Sequence, residues 1–488
     1  MNKFLLLIYT LFFASFSTVA QPISLHPQNS HYFIYKGNPT VLVTSAEHYG
    51  SVLNVDFDFK KYLQTLHGEG MNYTRIFTGS YVEIPGSFGI ENNTLAPAVG
   101  SFLTPWKRVE EKGLYSGEKK LDLSQGDPEY FSRLNDFVSL ANELDIIVEV
   151  TLFCSTYSNE SWERHPFNPG NNISGLPANL DRKKSNTLDN GNLTGFQQKM
   201  VEKIVTELND FDNVFYEIQN EPWSDDPQKV MRTLRTLDPQ PGQGDWYKWA
   251  EMASPASLKW QALMVKTIVE TEIQLPKKHL IAQNYTNFMH SIDKVDPNIS
   301  ILNFHYVWPE TVWLNYGWDR PVSFDESGFA GSSDSTYLRQ AWQFMIAGGA
   351  IFNNLDYSFY VGKEDGTRTN KAPGGGSTNL RKQLTYLRSF IESLDFVKMK
   401  PDFNVVVHSP GSEVQAMSQP GNQYAMVFTG NDTKWAKLNL PKGKYNFEFI
   451  SPYTGRALKK GFFNQMKTGI YEMKMPEFGE IVALKIWK

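Results

Sequence analysis

From residue 40 onward, short apolar runs rich in β-formers alternate with longer segments of helical period, and this alternation constrains the chain more than any other feature. The strand candidates are 40–44, 72–77, 146–153, 214–219, 280–284, 301–305, 322–325 and 350–356. Between them lie amphipathic segments at 57–67, 129–144, 195–208, 257–271, 336–346 and 380–394, with two shorter and weaker ones after the fifth and sixth runs. Eight β-then-α units predict an α/β chain, a closed (β/α)8 TIM barrel with its helices outside. A doubly wound open sheet is the alternative, but no Gly-rich phosphate loop follows the first run.

After Asp395 the pattern changes to short alternating runs at 404–408, 414–418, 424–429, 436–440, 445–450, 470–475 and 481–486, separated by turn signals such as Pro-Gly and Pro-Lys-Gly. This predicts a small all-β sandwich. The expected organisation is a signal peptide over 1–20, a barrel with an N-terminal extension over 21–398, and the sandwich over 399–488. The sandwich is expected to brace the barrel, since no run of exposed aromatics marks it as a binding platform.

The start, Met-Asn-Lys followed by an apolar stretch from Phe4 to Phe16 and small residues up to Ala20, reads as a secretory signal cleaved after Ala20. No other segment reaches membrane-spanning length. Cys154 is the sole cysteine, so no internal disulfide can form, and none lies near the cleavage site to take a lipid. Secretion or a periplasmic location is expected. Asn72 and Asn284 head Asn-x-Thr triplets but fall in strand candidates, which argues against glycan attachment there. A net charge of −5, without long runs of either sign, gives no footprint for nucleic acid or an anionic membrane.

Chemistry concentrates at two strand ends. The fourth run ends in Asn220-Glu221-Pro222, and the seventh continues through Asp325 to Glu326. The C-terminal ends of barrel strands form the face where such folds build sites. Pro222 restricts the backbone beside Glu221, whose environment is expected to keep it protonated as a general acid. The two strands stand three apart around the ring, so their carboxyls can face each other across the mouth. Retaining glycoside hydrolysis needs carboxyls roughly 5 to 5.5 Å apart, one acting as acid then base and the other as nucleophile.

With the eight-unit order, these residues resemble glycoside hydrolase clan A, and within it the family 5-like (cellulase-like) retaining β-glycosidases. The matching positions are Asn220-Glu221-Pro222, Glu326 and Arg75, over residues 30–395. The resemblance implies Glu221 as acid/base, Glu326 as nucleophile, Asn220 bonding a sugar 2-hydroxyl and Arg75 bracing the nucleophile. His305 matches the family's strand-six histidine. The tyrosine expected two positions later is Val307, and Tyr306 sits one position early. By alternation Asn303 and His305 share a face, with Tyr306 on the other unless the strand has ended. The family's aromatic platform after strand eight has no tryptophan here, leaving Trp308, Trp223 or Tyr357 as substitutes.

The remaining candidates are sugar contacts. His48 follows the first strand. The long insertions after the second and third strands carry Tyr81, Trp106, Tyr157 and Trp162, and flat rings suit the stacking of sugars in a groove or pocket. No His-Glu-x-x-His, paired Cys or EF-hand loop occurs, so neither metal nor cofactor is expected, and Gly-x-Ser-x-Gly is absent. The expected partner is a carbohydrate. Transglycosylation would use the same carboxylates, and a non-catalytic glycan-binding barrel is the reading from another class.

Overall fold

The computed structural model describes residues 21–231 and 248–488, so the leader expected to end at Ala20 lies outside the described residues. Eight strands form one parallel ladder: β1 (Leu42–Ala46), β2 (Tyr73–Phe77), β3 (Ile147–Cys154), β4 (Val214–Asn220), β5 (Ile281–Asn287), β6 (Ile301–His305), β7 (Val322–Ser327) and β8 (Ile351–Leu355). They pair in the order β1-β8-β7-β6-β5-β4-β3-β2. The seam between β1 and β2 is bridged by a side chain. Asn72 Nδ2 donates to Val41 O (2.9 Å) and its Oδ1 accepts from Val43 N (3.0 Å), as a neighbouring strand would. That amide is thereby committed to the barrel. Nearly every strand residue is buried, because side chains pointing outward meet helices and those pointing inward meet each other.

The covering helices are α1 (Phe59–Gly68), α2 (Pro128–Glu143), α3 (Leu193–Leu208), α4 (Pro255–Ile273), α5 (Glu310–Asn315), α6 (Asp334–Ile346) and α7 (Thr378–Glu392). Local chemistry sets their starts. Asp58, Asp127, Ser254 and Ser377 each accept a bond from a first-turn N–H, and Pro128 and Pro255 occupy first-turn positions that need no donor. The fifth unit departs from expectation, since no helix lies between Asn287 and Ile301 among the described residues. Pro297 and the turn from Asp296 O to Ile299 N (3.0 Å) leave too short a periodic stretch.

A three-stranded antiparallel sheet, Ser24–His26, Asn29–Tyr35 and Asn38–Thr40, precedes the barrel. It is tied to residues just before β3, β4 and β7: Tyr35 Oη to Asn142 (3.2 Å), Ile23 N to Asp212 O (2.9 Å), and His31 Nδ1 beside Arg320 O (3.1 Å). The sheet therefore closes the end of the barrel opposite the mouth.

At the C-terminus a six-stranded and a three-stranded antiparallel sheet form the sandwich. Its strand Ala457–Gln465 escapes the sequence reading because Lys459, Lys460 and Gly461 break the alternation on an exposed edge. Two central strands, Gln423–Thr429 and Ile481–Trp487, are apolar on both faces. Tyr424, Met426, Phe428, Val482, Leu484 and Ile486 fill the sandwich's own core, whereas Ala425, Val427, Ile481 and Ala483 join the barrel's apolar cluster. Period-two alternation thus divides each strand between two cores. Gln343 of α6 also donates to Thr429 (3.0 Å). Truncation after residue 398 should therefore expose an apolar docking face and give insoluble or strongly destabilised barrel. Recovery of a soluble truncated barrel with unchanged melting temperature would show that the sandwich is no brace.

Candidate active site

Glu221 follows the last residue of β4 with φ 46° and ψ 54°. A left-handed residue before proline is a strained arrangement, and it turns the side chain across the mouth instead of along the strand. Glu326 reaches the same space by another route. The β6–β7 pairing shifts register between Phe304 and His305, so that His305 lies opposite Glu326. That irregularity lets consecutive residues, Asp325 and Glu326, both serve the interior, which a regular strand forbids. One ligating atom each of Glu221, His305 and Glu326 lies within 4.8 Å of the others. The two carboxyls therefore open onto the same space at the mouth.

Each carboxylate is held by a tyrosine and by a cationic or imidazole group. Tyr157 Oη donates to Glu221 Oε2 (2.8 Å), and His305 Nδ1 lies 2.9 Å from Glu221 Oε1. Arg75 Nη1 donates to Glu326 Oε2 (3.2 Å), and Tyr306 Oη to Glu326 Oε1 (2.6 Å). Tyr306 resolves the offset in the sequence. The strand ends at His305, and φ 54° at Tyr306 swings its ring back to the mouth, where alternation alone would have pointed it away. Asn220 Oδ1 accepts from Arg75 Nη2 (2.8 Å), while its Nδ2 donates to the Tyr157 hydroxyl (2.9 Å).

Beneath lies a buried charged layer that sequence reasoning missed. Fully buried Arg75 donates to Glu217 through Nε (3.1 Å) and Nη2, and sits 3.5 Å from Asp325 and 3.9 Å from Glu149. Tyr49 packs on the guanidinium, its ring centroid 4.7 Å away. Burial holds Glu149 well above the usual carboxylate range, with Glu217's charge adding to the effect. Burial likewise pushes Asp325 up, to about 6, against the pull of His305 and Arg75. Glu217 is lowered overall, because Arg75 and the Thr151 and Arg75 hydrogen bonds outweigh desolvation. Ligating atoms of Glu217, His305 and Asp325 also lie within 4.8 Å of each other, but the guanidinium already stands against both carboxylates there.

The expectation that Glu221 is kept protonated is corrected. Burial favours its neutral form, yet His305's hydrogen bond and charge, with Tyr157's hydrogen bond, outweigh burial and lower its pKa. The imidazole itself is raised well above its ordinary value, since Glu326 and Asp325 overcome the opposing effect of its burial. Glu221 and His305 thus share one proton, which rests on the ring in the free protein and is available to the carboxyl across 2.9 Å. In His305→Asn, Glu221 alone must hold it. The basic limb of kcat/KM should then move to lower pH, because a buried carboxyl without the imidazolium reservoir loses its proton earlier than the pair does. Matching pH profiles for the variant and wild type would remove His305 from proton storage.

The other candidates divide. His48 lies 3.4 Å from Glu83 Oε2, and Tyr357 tilts against it with ring centroids 5.5 Å apart. Trp223 is buried with its ring edge on His305 (5.4 Å), so it positions the imidazole and offers no free face. Trp308 stacks on Phe288 (5.9 Å), which leads to Tyr306 (6.2 Å). Tyr81 is buried and bonds Glu83 (3.2 Å). Trp106 as a sugar platform is corrected. It opens the hairpin Trp106–Lys112 with Lys119–Gly126, is only 3% exposed, and packs edge-on to Phe167 (5.3 Å) within the barrel's apolar cluster. Trp162 is half-buried against the same cluster beside His165 (5.0 Å). Trp106→Ala should therefore cost about 3–5 kcal/mol of stability and leave KM unchanged for substrates of any length. A raised KM with an unchanged melting temperature would restore the platform.

No known protein-family profile matches the chain, and no curated protein matches it in sequence. Solved structures match in shape. A Bacteroides vulgatus protein provisionally described as a glycoside hydrolase aligns with TM-score 0.65 at 15% identity, over 96% of this chain and 82% of that one. A glycoside hydrolase family 5 protein from Bacteroides vulgatus aligns with TM-score 0.56 at 11% identity, over 96% and 93% of the two chains. Another glycoside hydrolase aligns with TM-score 0.56 at 12% identity, over 96% and 97%. At these identities the likeness is one of fold, and it extends across barrel and sandwich together.

Proposed function

We propose that the chain is an exported retaining β-glycosidase acting on a polysaccharide or oligosaccharide. The observation that carries this reading is the pair Glu221 and Glu326, facing each other within 4.8 Å at the ends of β4 and β7. Glu326, oriented by Arg75 and Tyr306, attacks the anomeric carbon. As the bond to the leaving oxygen breaks, Glu221 supplies the proton drawn from its pair with His305. The resulting glycosyl ester on Glu326 is opened by water, which surrenders a proton to Glu221, and Glu326 leaves as carboxylate. Asn220, held by Arg75 at Oδ1 and bonded through Nδ2 to the Tyr157 hydroxyl, would reach the sugar's 2-hydroxyl by exchanging the Tyr157 bond for one to the sugar, a contact that strengthens as charge develops on the ring. Arg75 would thus serve both carboxylate steps by keeping Glu326 a good nucleophile and a good leaving group.

The fold shared with glycoside hydrolases raises the prior for this reading, but the chemistry rests on the carboxylates. Export rests on the character of residues 1–20 alone. The decisive experiment is hydrolysis of a panel of β-linked glycans and aryl β-glycosides, with the first-formed anomer followed by NMR. The β-anomer is expected first. Initial α-product would overturn retention, and inertness toward every β-glycoside would overturn the reading.

A further inference from the structure

Both carboxylates lie under an arch of aromatic rings. Tyr157, bonded to Glu221, meets Phe88 edge to face at 5.1 Å between centroids. Phe88 meets Phe329 at 6.1 Å, and Phe329 meets Tyr306, bonded to Glu326, at 5.7 Å. Phe88 belongs to the insertion after β2 and Phe329 to the turn after β7, so their contact crosses the mouth. Phe88 (φ 55°), Tyr306 (φ 54°) and Phe329 (φ 53°) all occupy the left-handed region. For bulky residues this costs about 1–3 kcal/mol each, and such strain gathers where a site requires it.

On the side of β8, β1 and β2, buried polar groups stand beside the carboxylates. Buried Glu83 accepts from Asn93 Nδ2 (2.5 Å) and the Tyr81 hydroxyl (3.2 Å), with His48 Nε2 at 3.4 Å. His48 Nδ1 and the Tyr357 hydroxyl are buried and have no hydrogen-bond partner among the described residues. Both residues stand near enough to Glu326 to feel its charge. Orphaned buried donors and acceptors call for a bound polar molecule. Behind them the insertion is laced to the loop after β8, Glu91 N to Lys371 O at 2.9 Å and Asn370 Nδ2 to Asn92 O at 2.8 Å. In a retaining mechanism the sugar bonded to the nucleophile is the one toward the non-reducing end, and the leaving group lies beside the acid. The side laced in this way is the nucleophile's, since His48 and Tyr357 both feel the charge of Glu326.

We propose that this side is a pocket for one sugar, that Glu83, His48 and Tyr357 hold the hydroxyls of a terminal residue, and that the enzyme removes single sugars from the non-reducing end of β-linked saccharides. The inference rests on the glycosidase reading and adds direction and length to it. The test uses the full chain with four- to six-unit oligosaccharides of β-1,4-linked glucose, mannose and xylose, labelled at the reducing end, beside the aryl β-glycosides. The expected early products are the label shortened by one unit, then two, with free monosaccharide. Glu83→Gln should lower kcat/KM by about 10- to 100-fold through loss of charged hydrogen bonds to sugar hydroxyls. Tyr357→Phe, which keeps the ring and the packing, should lower it by about tenfold. Short labelled fragments at the earliest times would overturn the pocket and leave the glycosidase reading standing. No cleavage of any oligosaccharide or aryl glycoside would overturn both. A one-by-one ladder with both variants at wild-type kcat/KM would overturn the assignment of these residues.

Discussion

Glu326→Gln is expected to leave a folded protein whose turnover has fallen by about 10⁴-fold or more, because no other group can form the glycosyl ester. The amide keeps the size of the side chain and an oxygen for Tyr306, so packing changes little. It removes the negative charge that faces Arg75 at 3.2 Å and replaces one acceptor by a donor. Glu221→Gln should also abolish most turnover, though for a different reason, and the two are separated by chemical rescue. In Glu221→Ala, a small cavity opens where the acid/base stood. With an activated substrate whose leaving group needs no proton, azide can enter and attack the glycosyl ester on Glu326, giving a β-glycosyl azide. Azide cannot repair Glu326→Gln in this way, since that variant never forms the ester. Near-normal turnover in either Gln variant, measured on a folded sample, would sink the assignment of both carboxylates.

These residues were legible in the sequence because their signal is local and positional. Asn220-Glu221-Pro222 and Glu326 fall at the ends of apolar runs, and the eight-unit order says that such ends share one face. What escaped was set by tertiary geometry. Tyr306 stands on the wrong side by alternation and reaches Glu326 only through a left-handed backbone that no composition announces. Glu83, Phe88 and Phe329 lie in connections without periodicity, so nothing marked them beside their neighbours. Trp106 erred the other way, since an aromatic in a long insertion looked like a platform until a hairpin turned it into the core. Glu149 and Glu217 stand in the middle of strands whose preceding residues are apolar, and a carboxylate inside a doubly covered strand must face a partner in the barrel interior.

That interior partner is Arg75, and Arg75→Met should be among the most destabilising single changes in the chain. It removes the only arginine or lysine in contact with Glu217, Asp325 and Glu326 among the described residues. Breaking a buried ion pair from one side costs about 3–5 kcal/mol, since the remaining charge keeps its desolvation penalty. The sign of the pH dependence follows. In the wild type Glu217 lies below its ordinary value chiefly because Arg75 opposes burial. Without the guanidinium, burial acts unopposed by it, so the folded pKa of the carboxylates rises above the unfolded one. A group so shifted adds stability that is fully present below its unfolded pKa and is lost as pH climbs through the folded value. The melting-temperature deficit of Arg75→Met relative to wild type should therefore be smallest near pH 5 and widen toward pH 8. Arg75→Lys should recover part of the stability and little of the turnover. One ammonium can neutralise charge but cannot reach Glu217, Asn220 and Glu326 at once, as the planar fork does with Nε, Nη1 and Nη2. Equal melting deficits at both pH values would mean that the carboxylates are already neutral in the wild type, and that Arg75 serves packing instead of charge.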